Sequence, residues 1–328
     1  MSQKSNYKNP FSATFEGISA IFKKQVKVGS LTEKDRLDGK TVFIDGASSG
    51  LGFAVAMQVA ERGARVIMAC RSGIPEKGEE VKRRTGNRNV EMVQVDYSDM
   101  ESVQNLIKTI KERFAPLDIA IVNAAMVPRQ SRKTRQGLEE MFMVNYLSKF
   151  ILLNGLLEEK CFRTEGNSIP RIVVVSSESH RHPDAYDWAG FGVFKEYGMQ
   201  KTVEYYGYYK LLLTTYVHEL SRRIHANGNK PISVFSLCPG PVNSGIAREA
   251  PGVFQPIMKV VFAMFFKSPA KAAEPVLYLA CSKDLEGKPF DYLFRMTRKP
   301  VDEKASDPTN GIKLWELSEK LIADTSKT

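Results

Sequence analysis

The sequence has 328 residues, of which 43% are hydrophobic and 26% charged, and this balance argues against a disordered or low-complexity chain. Its net charge of +10 is compatible with a nucleic acid, an anionic membrane surface or an anionic cofactor as partner, and charge alone does not choose among them. The four cysteines lie far apart without metal-ligand spacing, which argues against a zinc knuckle or a disulfide framework and predicts small core residues.

The N-terminal extension, residues 1–38, is polar and bears lysines. Its apolar side chains recur at helical spacing and predict a short amphipathic helix; they are Phe11, Phe15, Ile18 and Phe22. Such a helix packs on the protein's own surface, on a second subunit or on a membrane surface, and the sequence leaves these alternatives open.

No stretch of the sequence has the pattern of a membrane-spanning helix or a secretory signal. The longest apolar runs, at 151–157 and 260–266, are much shorter than the roughly 20 residues that a span requires. The N-terminus has lysines but no apolar core followed by a cleavage site. The predicted location is therefore cytoplasmic, with peripheral membrane association as the alternative.

From residue 39 onward, short apolar runs alternate with helical patterns. The runs lie at 41–46, 65–70, 90–95, 118–123, 171–176 and 232–237. Helices are predicted between them at 53–62, 100–114, 138–159 and 203–226. The pattern predicts an α/β fold with a doubly wound parallel sheet of the Rossmann type, in a single domain over 39–328. Within this domain, residues 245–328 are expected to form a segment that covers the substrate side.

A glycine-rich turn, GASSGLG at 46–52, follows the first predicted strand and precedes a helix. Gly46, Gly50 and Gly52 allow a tight turn and the close approach of a pyrophosphate, whose charge faces the free N–H groups of the helix. The other predicted cofactor contacts in this turn are Ser48, Ser49 and Leu51. Any tight strand-to-helix turn favours glycine, but the position after the first strand favours a dinucleotide site.

Residues at the ends of three later strands predict the cofactor. Arg71 offers a planar charged fork suited to a ribose 2′-phosphate, which favours NADP over NAD; the alternative is a solvated arginine. Asp96, with Tyr97 beside it, is placed either to bind an adenine edge or to cap the following helix. Asn123 and Ala124 end the fourth strand, where small residues let a cofactor lie close, although a plain turn also explains them.

Tyr206 and Lys210 provide the strongest chemical signal. Residues four apart on a helix share a face, so the Lys210 ammonium is expected to stand near the Tyr206 phenol and to lower its pKa from about 10. Such a phenol exchanges protons near neutral pH. Ser177, the second of two serines after the fifth strand, is predicted to hydrogen-bond a substrate oxygen; the alternative is a serine that caps a turn.

Six segments occur in an order that resembles the short-chain dehydrogenase/reductase family. They are GASSGLG, the NAA triplet at 123–125, MVNYL around Asn145, VVVSS ending at Ser177, YYGYYK ending at Lys210 and CPGPVNS at 238–244. The resemblance covers about residues 39–245. Three further features are similar to retinol dehydrogenase-like members: IMACR at 67–71, the long spacing between Ser177 and Tyr206, and a C-terminal part that contains SPAKAAEPVLYLA and then LWELSEKL.

This resemblance implies a catalytic set of Asn145, Ser177, Tyr206 and Lys210. Within it, Lys210 also holds the nicotinamide ribose, and Asn145 supports a water-linked proton relay. The implied cofactor contacts on the nicotinamide side are Pro239, Gly240, Val242 and Ser244.

The sequence departs from the family pattern at three positions. Asp45 replaces the threonine that usually opens the glycine motif, and its carboxylate is expected to add negative charge near the pyrophosphate. Tyr209 replaces the serine before the lysine, and Ala125 stands where glycine is common. The last two do not touch the predicted proton chemistry.

The predicted function is NADP-dependent interconversion of a carbonyl and an alcohol by hydride transfer, on a hydrophobic retinoid, steroid or lipid-like substrate. A non-catalytic, dinucleotide-sensing protein and a peripheral membrane protein remain alternatives, and a homo-oligomer stays open. No metal is predicted, because the histidines lack partners at ligand spacing. The basic runs at 82–88 and 129–135 lack interleaved aromatic residues, so we interpret them as solvated loops and predict no nucleic-acid partner.

Overall fold

Short runs of apolar and β-branched residues form the strands of a central eight-stranded sheet. This computed structural model describes residues 28–166, 168–226, 232–240 and 268–325. The strand order is β3-β2-β1-β4-β5-β6-β7-β8, and only the pairing of β7 with β8 is antiparallel. The strands are β1 Thr41–Asp45, β2 Arg65–Cys70, β3 Val90–Gln94, β4 Ile119–Val122, β5 Arg171–Val175, β6 Ser233–Cys238, β7 Phe290–Phe294 and β8 Thr297–Arg298. The predicted doubly wound, mainly parallel sheet is confirmed.

Helices connect these strands and cover both faces of the sheet. The longer helices are α1 Gly50–Glu61, α2 Glu76–Thr85, α3 Met100–Arg113, α4 Ser148–Glu158, α5 Met199–Ile224, α6 Glu274–Cys281 and α7 Pro308–Thr325. Shorter helical turns lie at Glu140–Phe142, Met143–Leu147, Glu178–Arg181, Pro269–Ala272, Lys283–Leu285 and Glu303–Ser306.

Two helical regions differ from the prediction. The helix predicted over 138–159 is interrupted by a π-helical turn, Met143–Leu147, before α4. The sequence pattern does not predict α2, and the basic run expected to be a loop begins inside this helix, at Lys82. Only Gly78 and Val81 of α2 are buried, so the helix lacks the apolar stripe by which amphipathic helices are recognised.

The strands bury side chains on both faces because helices pack on each side. Phe43 belongs to the core formed with α3, α4 and α5, whereas its neighbour Ile44 belongs to the core formed with α1 and α6. Both side chains are fully buried. This arrangement explains the nearly continuous apolar runs. It also brings the carboxyl ends of β1, β4, β5 and β6 to one edge, where ligands bind in sheets of this type.

The C-terminal residues extend the sheet and pack on both of its faces. Residues Phe290–Phe294 form β7 in parallel register with β6, and the two-residue β8 forms the edge. Helix α6 packs on the face that carries α1, and α7 packs against α5. The role of 245–328 as a substrate cover stays a prediction, since its apolar stretch 253–266 lies outside the described residues, as does the predicted helix at 11–22.

The cysteines Cys70, Cys161, Cys238 and Cys281 are free and buried, as expected of small core residues. Within the described part of the chain, no helix is both long and apolar enough to span a membrane. The same residues include no group of three or more His, Cys, Asp or Glu side chains arranged to hold a metal ion.

Candidate active site

The glycine turn between β1 and α1 forms a cradle for an anion. Gly46 and Gly50 adopt positive φ angles of 61° and 56°, which glycine tolerates without strain. A Cβ on Gly52 would lie 2.3 Å from the Gly46 carbonyl oxygen, so only glycine fits there. The Ser49 side chain makes no capping hydrogen bond, and the first turn of α1 carries no acidic residue. The start of this helix therefore suits a negatively charged group such as the pyrophosphate of a dinucleotide.

Asp45, at the end of β1, is buried and ties β1 to the end of β4. Its Oδ1 accepts hydrogen bonds from the backbone N–H groups of Asn123 and Ala124, the latter at 2.6 Å. Its Oδ2 lies 2.8 Å from the ammonium of Lys149. The negative charge expected near the pyrophosphate is thus balanced by a lysine that the sequence pattern does not single out.

Asp96 lies just after β3 and forms a local turn. Its Oδ1 accepts hydrogen bonds from the Ser98 backbone N–H at 2.9 Å and from the Ser98 hydroxyl at 2.7 Å. The residue that caps α3 is instead Asp99, whose side chain accepts from the Glu101 N–H. The capping alternative for Asp96 is therefore wrong, and its role toward adenine stays a prediction.

Arg71 and Tyr97 present their side chains differently. Arg71 is exposed just after β2 and pairs with no other residue in the described part of the chain. Tyr97 is buried, and the Lys149 ammonium lies 3.7 Å from the centroid of its ring. The guanidinium of Arg71 is thus available to an anion, whereas the side chain of Tyr97 belongs to the core.

Ser177, Tyr206 and Lys210 come together at the carboxyl edge of the sheet. Ser177 follows β5 and caps the turn Glu178–Arg181, as the alternative for this serine expected: its Oγ accepts from the Ser179 N–H at 3.2 Å and donates to the Ser179 hydroxyl at 3.1 Å. The Tyr206 phenol lies near enough to the Ser177 hydroxyl for that group to lower its pKa. The Lys210 ammonium lies 5.8 Å from the centroid of the Tyr206 ring and donates a hydrogen bond to the Val175 carbonyl at 3.0 Å. Helical spacing on α5 and the end of the neighbouring strand together build this cluster.

Asn145 lies in the π-helical turn before α4 and is fully buried. Its Nδ2 donates to the Met126 carbonyl at 2.9 Å, and its Oδ1 accepts from the Met126 N–H at 2.8 Å. These bonds tie the turn to the segment after β4, and the turn packs against α5. Turns of this type are frequent at functional sites, because they change the direction of a side chain within a helix.

The pKa values of Tyr206 and Lys210 are shifted mainly by burial. Burial raises the pKa of Tyr206 to about 12, and the nearby Ser177 hydroxyl opposes this shift. Burial, and then the charge of Lys149, lower the pKa of Lys210 to about 8. The expectation of a lowered Tyr206 pKa is therefore wrong, because desolvation of the phenolate outweighs the effect of an ammonium 5.8 Å from the ring.

The predicted nicotinamide-side residues are only partly described. Pro239 and Gly240 directly follow β6, and Gly240 adopts a positive φ of 80°. This left-handed backbone conformation favours glycine, whereas a Cβ here would meet only the Arg295 side chain, 2.7 Å away at Nε. Val242 and Ser244 lie outside the described residues, and their contacts stay predictions.

His180 lies in the turn after β5 and is fully buried. Its Nδ1 donates to the Ser177 carbonyl at 2.6 Å, and its Nε2 accepts from the Asp302 N–H at 3.1 Å. These two contacts require a neutral ring with its proton on Nδ1. His180 therefore joins the backbone of Ser177 to the start of the turn Glu303–Ser306.

We expect this histidine to make stability depend on pH. Burial is the main reason why the pKa of His180 is lowered from 6.5 to about 4. As the pH falls through this window, the unfolded chain gains a proton that the folded protein does not, so the free energy of unfolding falls by about 3 kcal/mol. Urea unfolding from about pH 7 to about pH 4 measures this loss. His180→Gln, which does not titrate, is expected to lack this part of the pH dependence, and parallel curves for both proteins would contradict the expectation.

Comparison with known proteins identifies the family. The short chain dehydrogenase family matches residues 40–187. Retinol dehydrogenase 13 of Mus musculus is 30% identical over 321 residues, which cover 94% of this chain and 91% of that protein. The chain belongs to the short-chain dehydrogenase/reductase family. It is accordingly an NAD(P)-dependent oxidoreductase that acts on a small molecule, with relatives named retinol dehydrogenases.

Solved structures show the same fold. An uncharacterized protein from Mycobacterium paratuberculosis has a TM-score of 0.67 and 26% identity, covering 90% of this enzyme and 98% of that chain. A short chain dehydrogenase from Escherichia coli CFT073, complexed with NADPH, has a TM-score of 0.61 and 19% identity, covering 81% of this enzyme and 99% of that chain. The shared fold places the glycine cradle at the turn after the first strand, which is where sheets of this type bind dinucleotides.

Proposed function

We propose that this enzyme uses NADPH to reduce a carbonyl group reversibly on a hydrophobic substrate. The observation that carries the proposal is the cluster of Ser177, Tyr206 and Lys210, which lies at the sheet edge that also holds the glycine cradle. When bound, a nicotinamide dinucleotide supplies the hydride for the carbonyl carbon. The residues of the chain supply the proton and hold the carbonyl oxygen.

Tyr206 is the proposed proton donor. Its pKa of about 12 keeps the phenol protonated at neutral pH, as a donor to a carbonyl oxygen must be. The phenol proton passes to the oxygen as the carbon is reduced, while the Ser177 hydroxyl donates a hydrogen bond to the same oxygen. In this proposal Lys210 holds the nicotinamide ribose, and Asn145 supports return of a proton to Tyr206 through water.

Arg71 supports NADPH as the preferred cofactor. Its guanidinium is exposed at the end of β2 and pairs with no other described residue. A 2′-phosphate at this position would gain a charge-assisted, bidentate partner, whereas the 2′-hydroxyl of NADH would not. The Escherichia coli neighbour, which shares the fold, is described as an NADPH complex.

An apolar face on α5 supports a hydrophobic substrate. Met199 and Val203 precede Tyr206 by seven and three residues, so the three side chains share one face of the helix. Met199 is 62% exposed and Val203 44% exposed. Exposed apolar side chains that approach a candidate catalytic residue suit an apolar ligand. Relatives that carry the name retinol dehydrogenase agree with such a substrate.

An assay with both cofactors and a panel of carbonyl compounds tests this proposal. We expect NADPH oxidation with retinal, steroid ketones, quinones or long aliphatic aldehydes. For an accepted apolar class, we expect kcat/KM at least about tenfold above that of propanal, because each buried methylene contributes about 0.8 kcal/mol. Faster turnover of propanal would contradict the hydrophobic substrate. Binding of NADPH without turnover of any compound would favour the alternative of a non-catalytic dinucleotide sensor.

We also propose that the enzyme acts in the cytoplasm. Peripheral membrane contact is the alternative, and the amphipathic pattern at 11–22 that favours it lies outside the described residues. A homo-oligomer is compatible with a cytoplasmic location and with peripheral membrane contact.

A further inference from the structure

A buried ion pair lies directly beneath the glycine turn. Asp45 and Lys149 come from β1 and α4, and their side chains are 0% and 1% exposed. Burial lowers the pKa of Lys149, and the Asp45 carboxylate opposes this shift. Charges removed from water in this way are tolerated only when they are paired, and loss of one partner is strongly destabilising. Each of these two side chains is therefore stabilised in its charged form by the other.

The Asp45 carboxylate uses both of its oxygens. Oδ1 accepts the N–H groups of Asn123 and Ala124, and Oδ2 accepts from Lys149. The Asn123 side chain in turn donates to the carbonyls of Asp45 at 3.2 Å and of Gly46 at 3.4 Å. These reciprocal bonds hold the end of β1 at a defined distance from the end of β4.

The Asn123 side chain that these bonds hold in place also contacts the glycine cradle. A Cβ on Gly52 would lie 2.6 Å from Nδ2 of Asn123, so α1 begins in close contact with the side chain that the pair positions. Gly46 directly follows Asp45 and contributes the carbonyl that Asn123 contacts. A shift of Asn123 would therefore move the amide groups that face the pyrophosphate.

Besides positioning the end of β4, the pair affects the electrostatic interaction with an anionic ligand. An unpaired carboxylate next to the phosphate-binding turn would repel the dinucleotide, whereas the ion pair is neutral overall. The Lys149 ammonium is also held over the Tyr97 ring, at 3.7 Å from its centroid, on the side of the sheet edge where the adenosine part is expected.

We propose that Lys149 is a positioning residue for the dinucleotide: it neutralises Asp45, so that this carboxylate ties the β4 end to the glycine turn without repelling the cofactor phosphates. This inference requires dinucleotide binding and does not depend on the substrate proposed above. It accounts for an aspartate at a position where the family usually has threonine.

The test separates the effect of charge on dinucleotide binding from the effect of packing on stability, by measuring both Kd and Tm in variants of the pair. Lys149→Gln leaves an uncompensated carboxylate, and we expect the Kd for NADPH in a fluorescence titration to rise about 10- to 50-fold. Asp45→Asn leaves an uncompensated ammonium, and we expect a Kd equal to or below that of the wild type. Both variants are expected to have a lower Tm, because each buries a charge without its partner.

The double variant Asp45→Asn/Lys149→Gln provides a neutral pair of similar shape. Its amides can hydrogen-bond each other while Asn Oδ1 still accepts the backbone N–H groups, so we expect a Kd within about threefold of the wild type. If a single variant does not fold, this comparison with the wild type decides: a folded neutral pair with a Kd raised tenfold or more would overturn the proposal.

A purely structural role would give a different pattern. Both single variants would then lose Tm, and their Kd values would change in the same direction or not at all, which would also overturn the proposal. Lys82→Gln is the matched control, because Lys82 pairs with Glu79 at 2.9 Å on the exposed surface of α2. This control is expected to leave both Kd and Tm unchanged.

Discussion

Tyr206→Phe is expected to lower kcat for carbonyl reduction by about 10²- to 10⁴-fold, while the Kd for NADPH stays within about twofold of the wild type. The phenyl ring fills the same space on α5 but has no proton to donate to the carbonyl oxygen. The Ser177 hydroxyl keeps its contacts with Ser179 in this variant, so the position of that hydroxyl is not expected to change. Single-turnover kinetics with saturating NADPH and a titration of cofactor binding measure the two quantities separately.

Tyr205→Phe is the matched control for this prediction. Tyr205 is the preceding residue on α5, and its ring stacks on Tyr197 with a centroid distance of 4.4 Å. The substitution removes the same hydroxyl without touching Ser177, and we expect kcat within about twofold of the wild type. Turnover retained by Tyr206→Phe, or an equal loss in both variants, would contradict the assignment of Tyr206 as the proton donor.

Arg71→Glu is expected to reverse the cofactor preference. Loss of charge-assisted hydrogen bonds to the 2′-phosphate weakens the binding of NADPH by about 1.5 to 3 kcal/mol, and a carboxylate at the same place repels that phosphate. The ratio of kcat/KM for NADPH to that for NADH should therefore fall by about 10³-fold. Initial rates measured with each cofactor at a fixed carbonyl concentration give this ratio.

Arg83→Glu controls for the change in net charge. Arg83 is exposed on α2, outside the glycine turn and the end of β2. The same substitution there should leave the cofactor ratio within about twofold of the wild type, since exposed charges are screened over about 10 Å. An unchanged ratio in Arg71→Glu would show that Arg71 does not bind the 2′-phosphate.

The parts of the fold that follow from local pattern are predictable from the sequence. The six predicted strands begin and end within one residue of the observed strands, because burial on both faces requires nearly continuous apolar runs. Helix α2 is the counterexample, since most of its residues are charged and only Gly78 and Val81 are buried, so no apolar run indicates it. The break before α4 also escapes prediction, because the apolar pattern of 138–159 continues through the π-helical turn.

The candidate site also has features that can be predicted from the sequence and features that cannot. The glycine turn and the pair Tyr206 and Lys210 depend on a few consecutive residues or one helical turn, so their spacing is visible in the sequence. The pKa of Tyr206 is not, because burial by distant parts of the chain raises it to about 12. His180 is similar: its neutral state depends on a backbone N–H at Asp302, far along the chain.

Asp45 illustrates the difference between what the sequence determines and what the tertiary structure determines. The sequence alone determines that a carboxylate ends an apolar strand, and a buried carboxylate requires a partner. Only the tertiary structure decides that the partner is Lys149, which lies 104 residues further along the chain. Strand runs, the glycine turn and helical spacing are local properties, whereas burial, ion pairing and the resulting proton affinities depend on which segments the fold brings into contact.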